Sequence, residues 1–223
     1  MIGVVVTYYG EHQLPQALAS IANQSIHPDA VVIVNDAHPE SARDIVKEYG
    51  YAYIENKSNV GLAESRNVGI DHLPSEFYIP LDADDRLAPR CIETYLNRIT
   101  LHNRYYYSDM YLVQSGGKSL WKSKPFDITS LLRYNCISAT SCVPKEAWHI
   151  AGGYDSEFSH YGGWEDWAMW LKLYQHGIIG VHVPQPLFYR TIRHDSMTKK
   201  LDKGVLKQLL RDKFPDLYGD MNA

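Results

Sequence analysis

The stretch IPLDADDRL, residues 79–87, sets an apolar run directly against three carboxylates, Asp82, Asp84 and Asp85. Like charges at that spacing repel, so the chain must give them either to water or to a partner. An aspartate-rich turn at a polar strand end is the first solution. A divalent cation is the second. On a strand Asp82 and Asp84 point to one face while Ala83 points away. Two such carboxylates, with phosphate oxygens as the remaining ligands, suit Mg²⁺ or Mn²⁺. Asp85, in the turn, stands as an alternative ligand to Asp82. These residues alone leave both solutions open.

Upstream lie three more runs: IGVVVTYY (2–9), AVVIVND (30–36) and the shorter YAYIENK (51–57), with EFYIPLD (76–82) as the fourth. The first two carry no polar interruption, as strands covered on both faces do. Helical spacing links Leu14, Leu18 and Ile21, and helical patterns recur near 40–49 and over 61–73. This alternation predicts an α/β, Rossmann-like fold: a mostly parallel central sheet with helices on both faces. In such sheets ligands bind beyond the carboxyl ends of the strands. Thr7-Tyr8-Tyr9, Asn35-Asp36, Asn56 and the aspartate cluster all fall on that edge.

The second half is less regular. NRYYYSDMYLV (103–113) reads as a strand or hairpin, and NCISATSCVPKEAW (135–148) as a strand entering a short helix. EDWAMWLKLYQHG (165–177) is a helix ended by Gly177, IIGVHV (178–183) a late strand, and the charged tail from 200 a helix. No repeat or low-complexity linker divides the chain. We expect one domain over 1–223, with a nucleotide-binding half over about 1–100, an acceptor half over about 101–198, and a tail.

Composition narrows the partners. Of 223 residues 45% are apolar, and 22 Lys and Arg against 26 Asp and Glu leave a formal charge of −4. No basic run exceeds a pair such as Lys199-Lys200, which argues against nucleic acid as a partner. Cys91, Cys136 and Cys142 are odd in number without CxxC spacing, which fits a reducing compartment better than a disulfide framework or a zinc site. MIGVVVTYYGEHQL carries an apolar run too short to span a bilayer and no basic leader. The expectation is a cytoplasmic protein with no transmembrane segment.

Three further places carry chemistry. Arg66 falls inside the apolar stripe of Leu62, Ile70 and Leu73, so its guanidinium needs an anion: a phosphate, a nucleobase carbonyl or one of the aspartates. A structural Arg–Asp pair is the plainer alternative. YGGWEDWAMW (161–170) places Glu165 and Asp166 in the first turn of a helix, where the dipole favours an ionised carboxylate. Beside Trp164 such a carboxylate suits general-base work on a sugar hydroxyl, the indole stacking on the sugar ring. Acidic residues there also simply stabilise helices. FYRTIRHDSMT (188–198) offers His194 to a metal or a diphosphate, with Arg190, Arg193 or Ser196 assisting.

Taken in order, VVVTYYGEHQLPQALASIANQS, VIVNDAH, NVGLAESRNVGI, LDADD, GGYD and GGWEDW resemble the family 2 glycosyltransferases of GT-A fold, over about residues 2–198. The resemblance implies transfer of a sugar from a nucleotide diphosphate sugar, UDP-sugar favoured, to a saccharide or other hydroxyl acceptor. It implies inversion at the anomeric carbon and Mn²⁺ or Mg²⁺ as cofactor. Carried over, Thr7, Tyr9, Asp36 and Arg66 would line the nucleotide site. Asp82 and Asp84 match the DxD, which binds ribose and metal, and His194 matches a position assisting the metal or diphosphate. Asp166 would be the catalytic base, with Trp164 and Glu165 toward the acceptor. The family usually shows DDGS or DDAS where this chain has Asn35-Asp36-Ala37-His38, which bears on base identity. The missing QxxRW-type motif argues against a processive synthase. A nucleotidyltransferase would want a glycine-rich basic loop after the first strand, and TYYGEHQL offers only Gly10. A catalytically silent sugar-nucleotide-binding module would have no reason to keep Asp82, Asp84 and Asp166.

Overall fold

The computed structural model describes residues 1–193 and 202–219. The first elements are β1 (Ile2–Tyr8), α1 (Leu14–Ala22), β2 (Val31–Asn35), α2 (Arg43–Glu48), β3 (Ala52–Glu55), α3 (Leu62–His72) and β4 (Phe77–Asp82). Next come β5 (Arg86–Leu87), α4 (Cys91–Arg98), β6 (Arg104–Gln114), β7 (Gly117–Trp121), α5 (Ile128–Arg133) and β8 (Val143–Pro144). The chain continues with α6 (Lys145–Ile150), α7 (Ser156–His160), α8 (Glu165–Gln175) and β9 (Ile179–Thr191), then α9 (Lys203–Lys213) and α10 (Pro215–Gly219).

The four strands expected from the apolar runs pair in parallel in the order β3-β2-β1-β4, and β8 joins β4 antiparallel. Every residue of β1 and β2 is buried, because helices cover both faces. Val5, Val32 and Val34 pack with Ala63 and Ile70 of α3, while Val4, Val6 and Ile33 pack with Leu14, Leu18 and Ile21 of α1. The alternation of faces along a strand thus sorts one apolar run into two cores.

A second sheet, in the order β5-β9-β6-β7, was only partly expected. β6 and β9 run parallel, and β6 turns through a hairpin into β7. The strand expected to stop at residue 183 runs on to Thr191. Pro184 and Pro186, just beyond the expected end, lack an N–H for ladder pairing. They lie, however, where the β6–β9 register shifts around Asp109, and a bulge has no ladder bond for them to break. The strand expected within 135–148 shrinks to β8 plus one bridge from Tyr106 to Cys142, with α6 following as expected. In the tail, Leu206, Leu210 and Phe214 are buried against the α3 side of the core. Among the described residues no helix is long and apolar enough to cross a membrane.

Helix α3 lies closest to the sheet at Gly69. A Cβ there would sit 2.4 Å from Val5 Cγ1 and 3.0 Å from Val34 Cγ2. Gly69→Ala should therefore destabilise the fold by about 1–3 kcal/mol through overpacking, outweighing the roughly 1 kcal/mol that alanine gains over glycine in a helix. Thermal melting beside Gly116→Ala, where a Cβ meets nothing within 4 Å, checks this; equal melting temperatures would refute it.

Candidate active site

The site is organised around a cation. Arg66 is only 2% exposed, and its two terminal nitrogens reach different elements. Nη2 donates to Asp82 Oδ1 at the end of β4 (2.7 Å), and Nη1 to Glu165 Oε1 at the start of α8 (2.5 Å). The guanidinium also lies over the ring of Tyr154, 5.6 Å from its centre. Burial alone would lower the Arg66 pKa, but Asp82 and Glu165 outweigh it and hold it above the ordinary value. Of the alternatives for Arg66, the ion pair with a crowded aspartate is the one formed, with Glu165 as a second partner. Burial pushes Glu165 up against the pull of Arg66.

Asp82, Asp84 and Asp85 do converge: one oxygen from each lies within 4.8 Å of the others. Each is tethered differently. Asp82 holds Arg66; Asp84 Oδ2 is 3.1 Å from Arg193 Nε; Asp85 Oδ1 accepts the Thr191 N–H at 2.8 Å. The Thr191 hydroxyl donates to the Asp84 carbonyl, so the end of β9 is fastened to the same corner. Burial, then the Asp82 charge, pushes Asp84 up to about 6, with Arg193 opposing. Asp85 is held well above the carboxylate range by burial, then by Asp82 and Asp84. Three converging carboxylates, with ionisation disfavoured at Asp84 and Asp85, are a hard-oxygen donor set short of positive charge, which fits Mg²⁺ or Mn²⁺.

Helix α8 enters through an unusual turn. Gly162, Gly163 and Trp164 have φ of 89°, 149° and 73°. A tryptophan in the left-handed region is strained by about 1–2 kcal/mol, and the turn delivers Glu165 to Arg66 and Asp166 beside it. Asp166 is half-buried; it accepts Asn135 Nδ2–H (3.0 Å) and the Trp167 N–H (2.8 Å). Burial raises its pKa, while Arg66 and Asn135 hold it down. Trp164, expected to stack on a sugar ring, is half-buried with its ring 4.7 Å from that of Trp167. Glu165, expected toward the acceptor, is the buried partner of Arg66.

A cleft of about 610 Å³ opens over this corner, lined among others by Thr7, Tyr9, Asp36, Ser65, Glu165 and Arg193. Arg66, expected on the nucleotide, does not line it. Asp36 accepts Asn56 Nδ2–H (3.0 Å) and the backbone N–H groups of Val60 (2.8 Å) and Gly61 (2.9 Å), which orders the entry to α3. In the altered loop that follows, Ala37 takes a φ of 61° and His38 packs over Gly10, whose absent Cβ would lie 2.4 Å from His38 Nε2. Sequence reasoning missed Asn135 and Thr191, since nothing local marks a lone polar residue that becomes a distant partner. His194 and Ser196 lie outside the described residues.

Comparison with known proteins agrees with this architecture. Residues 3–154 match the profile described as "Glycosyl transferase family 2". A UDP-Gal:alpha-D-GlcNAc-diphosphoundecaprenol beta-1,3-galactosyltransferase from Escherichia coli is 27% identical over 86% of this chain and 72% of its own length. A teichoic acid poly(glycerol phosphate) polymerase from Staphylococcus epidermidis is 30% identical over 43% of this chain, but this covers only 14% of that protein. Among solved structures, S. aureus TarS 1-349 in complex with UDP-GlcNAc superimposes with a TM-score of 0.73 at 17% identity, covering 97% of this chain and 72% of that one. The UDP complex of the same protein gives 0.72 at 18%, covering 97% and 71%. At such identity the likeness is one of fold.

Two outcomes follow from the charges. Arg66→Met leaves Asp82 and Glu165 uncompensated and should cost about 3–5 kcal/mol, read as a fall in melting temperature; an unchanged melt would refute the clamp. For Asp84 the folded-state pKa lies above the unfolded one. Its contribution to stability is therefore complete below the ordinary carboxylate pKa and lost as pH rises through about 6. In chelator, Asp84→Asn should stabilise the protein at pH 7.5 by roughly 1–2 kcal/mol after solvent screening, and the gain should vanish near pH 4. A gain equal at both pH values would refute the assignment.

Proposed function

The chain belongs to glycosyl transferase family 2, and on that premise we propose a metal-dependent, inverting reaction in glycan or polysaccharide biosynthesis. A sugar passes from a nucleotide diphosphate sugar to a hydroxyl of a saccharide or similar acceptor. One observation carries the reading: Arg66 ties Asp82 of the aspartate corner to Glu165 at the start of α8, which brings a leaving-group site and the neighbouring base Asp166 together beside a cleft that Glu165 and Arg193 line. Residues of about 1–100 would supply the donor half and those of about 101–198 the acceptor half.

Asp166 removes the proton from the acceptor hydroxyl. Burial raises its proton affinity toward that task, and Asn135 fixes its orientation. The acceptor oxygen then bonds to the anomeric carbon as the bond to the diphosphate breaks on the opposite face, which inverts the centre. Asp84, with Asp82 or Asp85, would hold Mn²⁺ or Mg²⁺, which when bound neutralises charge on the departing diphosphate. Asp36 supports a uracil base. A carboxylate offers about four acceptor positions, and three hydrogen bonds leave room for an N–H donor such as the uracil imide. The UDP and UDP-GlcNAc complexes of the TarS structures point the same way. Three free thiols, two of them fully buried, suit a reducing, cytoplasmic setting.

Asp166→Asn should reduce turnover by about 10²–10⁴-fold, with UDP affinity in Mn²⁺ unchanged by calorimetry. Normal turnover would remove Asp166 from the role. With the wild type, release of UDP rather than pyrophosphate from the donor would separate transfer from nucleotidyl chemistry.

A further inference from the structure

The second sheet carries a row of side chains that the reaction above leaves unused. Arg86 of β5 stands opposite Tyr189 of β9, Tyr189 opposite Tyr111 of β6, and Tyr111 opposite Leu120 of β7, so all four share one face. The two tyrosine rings stack, 5.1 Å apart and 19° from parallel. Arg86 lies over Tyr189 at 5.2 Å, and Lys118 over Tyr111 at 4.8 Å and over Tyr189 at 5.7 Å. Neither tyrosine is fully buried, and Leu120 is 47% exposed.

The charge of this sheet is opposite to that of the whole. In a chain of net −4, its strands carry Arg86, Arg104, Lys118 and Arg190. Their single acid is Asp109, which is buried and bonded to His182 and to the Ser123 N–H. The row also begins at the active site. Arg86 directly follows Asp85, and Thr191, two residues past Tyr189, is the residue that binds Asp84 and Asp85.

We propose that the row Arg86, Tyr189, Tyr111 and Lys118 seats a phosphate-bearing saccharide acceptor, its sugar rings on the tyrosines and its phosphates at Arg86 and Lys118. This rests on the glycosyltransferase reading and adds the substrate class of its acceptor side. Aromatic faces take the apolar side of a sugar ring, while a guanidinium or ammonium held over a ring keeps donors for phosphate oxygens. A neutral glycan would leave these cations unanswered. An anionic bilayer fits less well, because Leu120 and Trp121, both about half exposed, are successive residues of β7 and point to opposite faces.

The test uses the intact protein without nucleotide, titrated by calorimetry with phosphorylated dextran oligosaccharide, unphosphorylated dextran of equal length, and phosphatidylglycerol vesicles. We expect saturable binding of the phosphorylated chain and at least about tenfold weaker binding of the neutral one. Lys118→Glu, on an exposed residue, and Tyr111→Ala should each weaken the phosphorylated chain by about tenfold, roughly the worth of one charge-assisted hydrogen bond or one aromatic contact. Both variants should keep wild-type affinity for UDP with Mn²⁺. Equal affinity for the two dextrans, unchanged affinity in Lys118→Glu, or binding of vesicles alone would each overturn the proposal. Because UDP is titrated separately, loss of UDP binding by the wild type would count against the donor reading and not against this surface.

Discussion

A guanidinium buried to 2% exposure cannot stand without compensation, and in this molecule the compensation comes from two distant parts of the chain. Arg66 sits on α3, Asp82 ends β4, and Glu165 begins α8. Satisfying one charge therefore fixes the distance between the strand that carries the aspartates and the helix that carries Asp166. Packing alone would tolerate small slides of helix against sheet. An ion pair in a low-dielectric interior tolerates much less, because its attraction and the desolvation it offsets are both large.

Around that clamp the remaining carboxylates are arranged with a deficit of positive charge. Asp84 and Asp85 each lean on one partner, Arg193 or a backbone amide, and both still hold their protons more tightly than an ordinary carboxyl group. Such a corner suits a bound cation, which would relieve the burial of charge and the mutual repulsion together. The left-handed Trp164 tells a similar story in backbone terms: an unfavourable conformation persists where the positions of Glu165 and Asp166 depend on it.

Much of this was legible in the sequence, and the remainder was hidden for identifiable reasons. The apolar runs at 2–9, 30–36 and 76–82 announced the parallel sheet because strands buried on both faces need no polar alternation. Arg66 announced itself by sitting in an apolar helix stripe, although its second partner, Glu165, is 99 residues away and carries no local sign. β9 was cut short at Pro184, since the bulge that accommodates the prolines arises only from its pairing with β6. Helix α4 passed unread because only Cys91, Ile92 and Tyr95 of its eight residues are buried. Asn135 and Thr191 acquire their roles purely through tertiary neighbours.

The double fastening of Thr191 has a consequence for architecture beyond chemistry. One residue ties the terminus of the longest strand to the backbone of Asp84 and the side chain of Asp85. Arg193, two residues on, thus leaves from the rim of the cleft, like a rope made fast at the dock itself. Lengthening or shortening β9 would therefore shift Arg193, which lines that cleft and pairs with Asp84, before it touched the parallel sheet.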